Sequence, residues 1–135
     1  MINASESIYS FSNILLRESG MRYTTEYEII MKDGEAEVSL YGIKYTGGED
    51  RRELYKRAMC SKETVLDLLN DCRFLSWNGF FGKHPRSVRD GTMFTLDAVV
   101  NQEEKIHAVG SENFPEHYRD FVNGLNSVFD NESEE

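Results

Sequence analysis

Hydrophobic and polar positions alternate most cleanly between Arg22 and Lys32. Tyr23, Thr25, Tyr27, Ile29 and Met31 fall on one side, and Arg22, Thr24, Glu26, Glu28 and Lys32 on the other. A period of two predicts a half-buried antiparallel strand. Ahead of it, Ile8 to Arg17 is rich in Ile, Leu, Tyr and Phe and stops at the turn signal Glu18-Ser19-Gly20. After it, Asp33-Gly34 supplies the left-handed positions of a tight hairpin. A third strand follows from about Glu35 to Tyr45. Its apolar parity switches from Val38 and Leu40 to Tyr41, Ile43 and Tyr45, so a bulge near Gly42 is expected.

The period then changes. Tyr45 to Asp50 reads as a loop, and Arg51 to Met59 as a polar segment, assigned a short helical turn. Ser61 caps a helix to about Cys72. In it Val65, Leu66, Leu68, Leu69 and Cys72 recur at helical spacing. Phe74 to Gly91 is irregular. Met93 to Val100 alternates again, with Phe94, Leu96, Ala98 and Val100 inward, and Lys105 to Val109 returns antiparallel. Pro115 suits the first position of a last helix, whose stripe is Tyr118, Phe121, Val122, Leu125 and Phe129. The expected fold is α+β. A five-stranded, meander-type antiparallel sheet carries both helices on one face, in the order strand-strand-strand-helix-strand-strand-helix. Tyr27, Ile29, Leu68, Leu69, Phe94, Leu96, Phe121 and Leu125 form its core. Residues 1–129 make a single domain, and Asp130 to Glu135 an acidic tail.

Composition narrows the class without naming a function. The chain has 135 residues, 39% hydrophobic and 29% charged, which fits a folded water-facing domain and excludes a disordered one. The net charge of −9 argues against direct nucleic-acid binding. Charge is also segregated: Arg51 to Lys62 is basic and Glu112 to Glu135 acidic. The N-terminus has no basic and apolar leader pattern, and Cys60 and Cys72 form no C-x-x-C pair. A reduced, cytoplasmic protein is therefore expected, without membrane attachment. Nucleotide-binding glycine motifs, the H-E-x-x-H zinc motif and the G-x-S-x-G elbow are absent, and no cofactor or metal is implied. His84, His107 and His117 show no metal-ligand spacing. Sets such as Cys60 with His84, or Ser111 with His107 and Asp97, need geometry to decide them.

Two surfaces stand out. By strand parity, Glu26, Glu28, Glu37 and Asp97 share the sheet face turned away from the helices. This acidic face suits a basic protein partner, in the manner of an inhibitor or immunity protein that occupies a nucleic-acid-binding surface. The alternative is the connection Ser76 to Gly91. There Lys83, Arg86 and Arg89 would hold an anion over Trp77 and Phe80, with His84 and Asp90 as titratable groups, in a ligand-binding domain or small enzyme. Equally, Trp77, Phe80 and Phe81 can serve to pin the loop to the core. The segment Gly110 to Pro115 reads as a helix cap formed by Ser111 or Asn113.

A resemblance adds to this. Ser76-Trp77-Asn78-Gly79-Phe80, then Pro85, Val88, Asp90-Gly91, Phe94, Asn101 and Gly110-Ser111-x-Asn113-Phe114-Pro115-x-x-Tyr118 resemble a family of small, functionally uncharacterised bacterial proteins. The likeness spans about Thr64 to Leu125, and more loosely Asp33 to Tyr45. Where that family has an Asn-Gly-Gly turn, this chain has Asn101-Gln102-Glu103-Glu104. The resemblance implies a shared fold and brings no activity with it.

Overall fold

The computed structural model describes residues 7–21, 23–86 and 91–133. The sheet has seven strands rather than five. They are β1 (Phe11–Ser19), β2 (Thr24–Lys32), β3 (Glu35–Thr46), β4 (Glu49–Cys60), β5 (Phe81–Gly82), β6 (Met93–Val100) and β7 (Glu104–Ser111). Helix α1 (Lys62–Asp71) lies between β4 and β5, with a 3₁₀ turn at Phe74–Trp77 after it, and α2 (Tyr118–Ser133) ends the described chain. The order across the sheet is β4-β3-β2-β1-β6-β7-β5. Every pairing is antiparallel except the short parallel contact of β5 with β7. The first four strands are a meander. The chain then crosses through α1 and adds the β6–β7 hairpin to the far edge of β1.

The main correction is β4. The polar segment after the loop is a twelve-residue strand paired along β3, not a helical turn. It is an edge strand, and only Ala58, Met59 and Cys60 among its residues are even partly buried. Neither side of it therefore had to be apolar. The bulge expected in the third strand is absent; the irregularity lies in β4, where Tyr55 is the extra residue: Leu40 pairs with Lys56 and Tyr41 with Leu54. Strand β3 itself stays in continuous register with β2 through Gly42. Its Tyr41, Ile43 and Tyr45 simply occupy the open face.

The hairpin at Asp33-Gly34 forms as expected, with φ of 54° and 84°. Tyr27, Ile29, Leu69, Phe94, Leu96, Phe121 and Leu125 are all buried in one core, and Leu68 is half-buried against it. Ser61 caps α1 by accepting from the Thr64 N–H at 3.1 Å. Helix α2 starts three residues after Pro115 and runs on to Ser133, into the segment read as a tail. Ser111 and Asn113 do not cap it. The residue before its first turn is His117, with φ 71°, whose Nδ1 lies 3.1 Å from Asp120 Oδ2. Among the described residues no helix is long and apolar enough to cross a membrane.

Candidate functional site

The open sheet face does gather Glu26, Glu28 and Glu37, but it gathers their counter-charges too. Arg52 reaches from β4 across β3 to Glu26, its Nε donating to Oε1 at 2.8 Å, and its Nη2 lies 3.8 Å from Glu28. Arg17 of β1 approaches Glu26 from the other side at 3.6 Å. Glu37 sits between Lys32 and Arg57, each at 3.5 Å. Glu26 and Glu37 are only 8% and 7% exposed, covered by the basic side chains that neutralise them. Asp97 lies apart on β6, where it pairs with His107 at 2.7 Å and stays well exposed. This face is a ladder of mixed charge. The basic run of β4 and the acids of β2 and β3, which looked like separate patches along the chain, meet in space.

The loop residues also separate. Trp77 is 1% exposed and belongs to the core. Its ring lies 4.9 Å from Phe74 and 5.6 Å from Phe121, and its Nε1–H donates to the Glu116 carbonyl at 3.1 Å. It provides no floor for the loop cations. Phe80 packs partly against the same core, whereas Phe81 is 77% exposed and does not pin the loop. Arg86 is exposed, and Arg89 and Asp90 lie outside the described residues.

What the loop does build is a cavity of about 320 Å³ at the β5 end of the sheet. Phe81, Met93 and Val109 supply its apolar surface, and Lys83, His84, Thr95 and Ser111 its polar groups. Strand parity accounts for the placement. Met93 and Thr95 of β6, and Val109 and Ser111 of β7, alternate onto the open face, and Phe81 pairs with Val109. The wall is tied down. His84 Nδ1 and Ser111 Oγ share a hydrogen bond of 2.7 Å, and Asn113 Nδ2 donates to the Lys83 carbonyl at 3.4 Å. Behind it, Glu112 donates its N–H to the Thr92 carbonyl at 2.8 Å, and the Thr92 N–H donates to Glu112 Oε2 at 2.6 Å. Ser111 and Asn113 therefore brace the cavity wall. No carboxylate among the described residues lies within ion-pair distance of Lys83.

The catalytic sets drawn from sequence do not assemble: Cys60 ends β4 and His84 follows β5, the two opposite edges of the sheet. His107 bonds Asp97, but Ser111 bonds His84 instead. The Glu112 N–H beside Ser111 is committed to Thr92, so it supplies no oxyanion donor there. Burial, then the charges of Asp120 and Asp71, push the Cys72 thiol up to about 11, the opposite of an activated nucleophile. Among the described residues no three His, Cys, Asp or Glu side chains converge as metal ligands. Sequence reasoning missed Phe81, Met93 and Val109 as site residues. A signal was present: Met93 and Val109 are apolar at positions whose parity assigns them to solvent. No protein-family model matches the chain, and no curated protein matches it in sequence.

Proposed function

We propose that this domain binds a small, flat, apolar molecule carrying an anionic group, in the cavity between β5, β6 and β7. The observation that carries the reading is Lys83, without an ion-pair partner among the described residues, on the rim of an apolar cavity in a protein whose net charge is −9. At about 320 Å³ the cavity stands at the lower end of ligand-site sizes, which limits the occupant to about one or two fused rings. Phe81 and Met93 offer a ring edge and a polarisable sulfur for an aromatic face. Lys83 supplies the charge, while the His84–Ser111 hydrogen bond holds the wall in place. The proposed role is binding, not catalysis.

The test uses 2-naphthoate and its neutral analogue 2-naphthylmethanol as probes, followed by amide and methyl chemical shifts. The expected result is saturable shifts confined to Met93, Thr95, Val109 and Ser111. Lys83→Gln should weaken the carboxylate about threefold or more, and the neutral analogue hardly at all. Shifts scattered over the surface, or equal loss for both probes, would overturn the reading.

A further inference from the structure

Helix α1 carries acids that no ion pair among the described residues neutralises. Along α1, Glu63, Asp67 and Asp71 recur every fourth residue, so they share one side of the helix. All three are exposed, and no Lys or Arg among the described residues lies within ion-pair distance of them. Neither α1 nor α2 has a basic residue in its last turn. Asp71 therefore adds to the negative end of the α1 dipole instead of opposing a cation to it. The same field reaches the neighbouring core, since Asp120 and Asp71 both help to raise the Cys72 thiol.

These charges border an apolar groove. Between α1 and α2 lies a depression of about 320 Å³, floored by Leu68, Leu125 and Val128, with Asp67 and Asp71 on its rim. Gly124 of α2 makes the notch. A Cβ at that position would come within 2.5 Å of Leu68 Cδ1, so the missing side chain is what lets Leu68 lie into α2. The groove follows α1, whose ten residues span about 15 Å, or nearly three turns.

We propose that the α1–α2 groove docks an amphipathic, basic helix of a partner protein. Apolar residues of that helix, at i, i+3 or i+4 and i+7, would lie on Leu68, Leu125 and Val128. Lys or Arg residues four apart on its flank would face Asp67 and Asp71, which stand about 6 Å apart along the axis. Charge selects this occupant over the others. A second copy would bring the same acids to the groove, and an anionic lipid surface would be repelled by them. The proposal is independent of the β5–β7 cavity, which lies on the opposite side of the sheet.

The probe is a labelled synthetic helix of about 14 residues built from Leu and Lys at that spacing, with a second peptide in which every Leu is Ser. Binding is read by fluorescence anisotropy on the whole chain. The Leu/Lys peptide should bind about tenfold or more tightly than the Ser/Lys peptide. Asp67→Lys with Asp71→Lys should weaken it about tenfold or more, while Glu103→Lys with Glu104→Lys, the same charge change at the β6–β7 turn, should weaken it about twofold at most. Circular dichroism verifies that both double variants fold, and 2-naphthoate affinity should be unchanged in the first. Equal binding of the two peptides, equal loss in the two double variants, or no binding of the Leu/Lys peptide would overturn the proposal.

Discussion

Arg52 and Glu26 are joined at 2.8 Å although a whole strand runs between their own. Arg52 also lies with its guanidinium carbon 3.8 Å from the Tyr41 ring centre, so the intervening strand supports the bridge from below. Because Glu26 turns away from the helices, parity alone suggests that Glu26→Lys is harmless to the fold. The structure reverses that expectation. The substitution places a third cation between Arg17 and Arg52 at a position 8% exposed. It should cost about 2–3 kcal/mol in urea unfolding, against about 0.5 kcal/mol or less for Asp97→Lys, which is well exposed. Equal costs would show that the ladder contributes nothing.

Two glycines predict unequal costs for the same substitution. A Cβ on Gly110 would run into the Asn113 carbonyl and the Phe94 ring, backbone and core that cannot give way. The atoms nearest a Cβ on Gly42 all belong to the Tyr55 ring, which is 47% exposed and can swing outward. Gly110→Ala should therefore cost about 2–3 kcal/mol and Gly42→Ala about 1 kcal/mol or less. Thermal or urea unfolding of the two variants decides it, and the reverse order would contradict the packing described for the 82–84 and 110–113 segments.

The parts legible from sequence are those where burial enforces a period. Tyr27, Ile29, Phe94 and Leu96 show alternation because one sheet face is covered by helices, and Val65, Leu69, Phe121 and Leu125 show helical spacing for the same reason. Strand β4 escaped because an edge strand exposed on both sides carries no apolar period, and the bulge at Tyr55 breaks what little there is. With β4 unplaced, Arg52 and Arg57 had no position relative to Glu26 and Glu37, and the acids looked unbalanced. The cavity was half legible. His84 and Lys83 drew attention by residue type, but Phe81 and Met93 gained meaning only once β5 had been set beside β7. Trp77 read correctly only as a core anchor, which is where its packing places it.

The β6–β7 turn makes a prediction that follows from its backbone. Asn101 and Gln102 both take positive φ, 49° and 76°. Asn101 repays the strain, because its Oδ1 accepts from the Tyr9 N–H at 2.8 Å and its Nδ2 donates to the Ser7 carbonyl at 3.0 Å. Gln102 is exposed and makes no such bonds among the described residues, so there its side chain only restricts the left-handed backbone. Gln102→Gly should raise stability by up to about 1 kcal/mol, and Asn101→Gly should lower it despite relieving the same torsion. A destabilised Gln102→Gly variant would mean that the left-handed torsion carries no strain.

The last prediction concerns alkaline pH. Burial and the hydrogen bond from its hydroxyl to Glu18, 2.6 Å long, push the Tyr118 phenol well above its ordinary value. Burial raises Tyr27 as well, and Cys72 is pushed up to about 11 by burial and by Asp120 and Asp71. All three groups hold their protons in the native state at pH values where the unfolded chain releases them, from about 8.5 for a thiol and about 10 for a phenol. The native state then binds more protons than the unfolded one, so stability is full below about pH 8 and falls as pH rises. The thiol contributes its share of the fall up to about pH 11, and the phenols take over above about 10. Cys72→Ala should therefore lower stability at pH 7, by the loss of a buried sulfur, but flatten the decline between pH 8 and 10 by about 1–2 kcal/mol. Tyr118→Phe should leave that interval unchanged and flatten the decline only above about pH 10. Urea midpoints at pH 7, 8, 9 and 10 for the wild type and Cys72→Ala are the measurement. A wild-type midpoint that holds constant from pH 8 to 10, or parallel declines in the two proteins, would show that the buried thiol does not carry the alkaline slope.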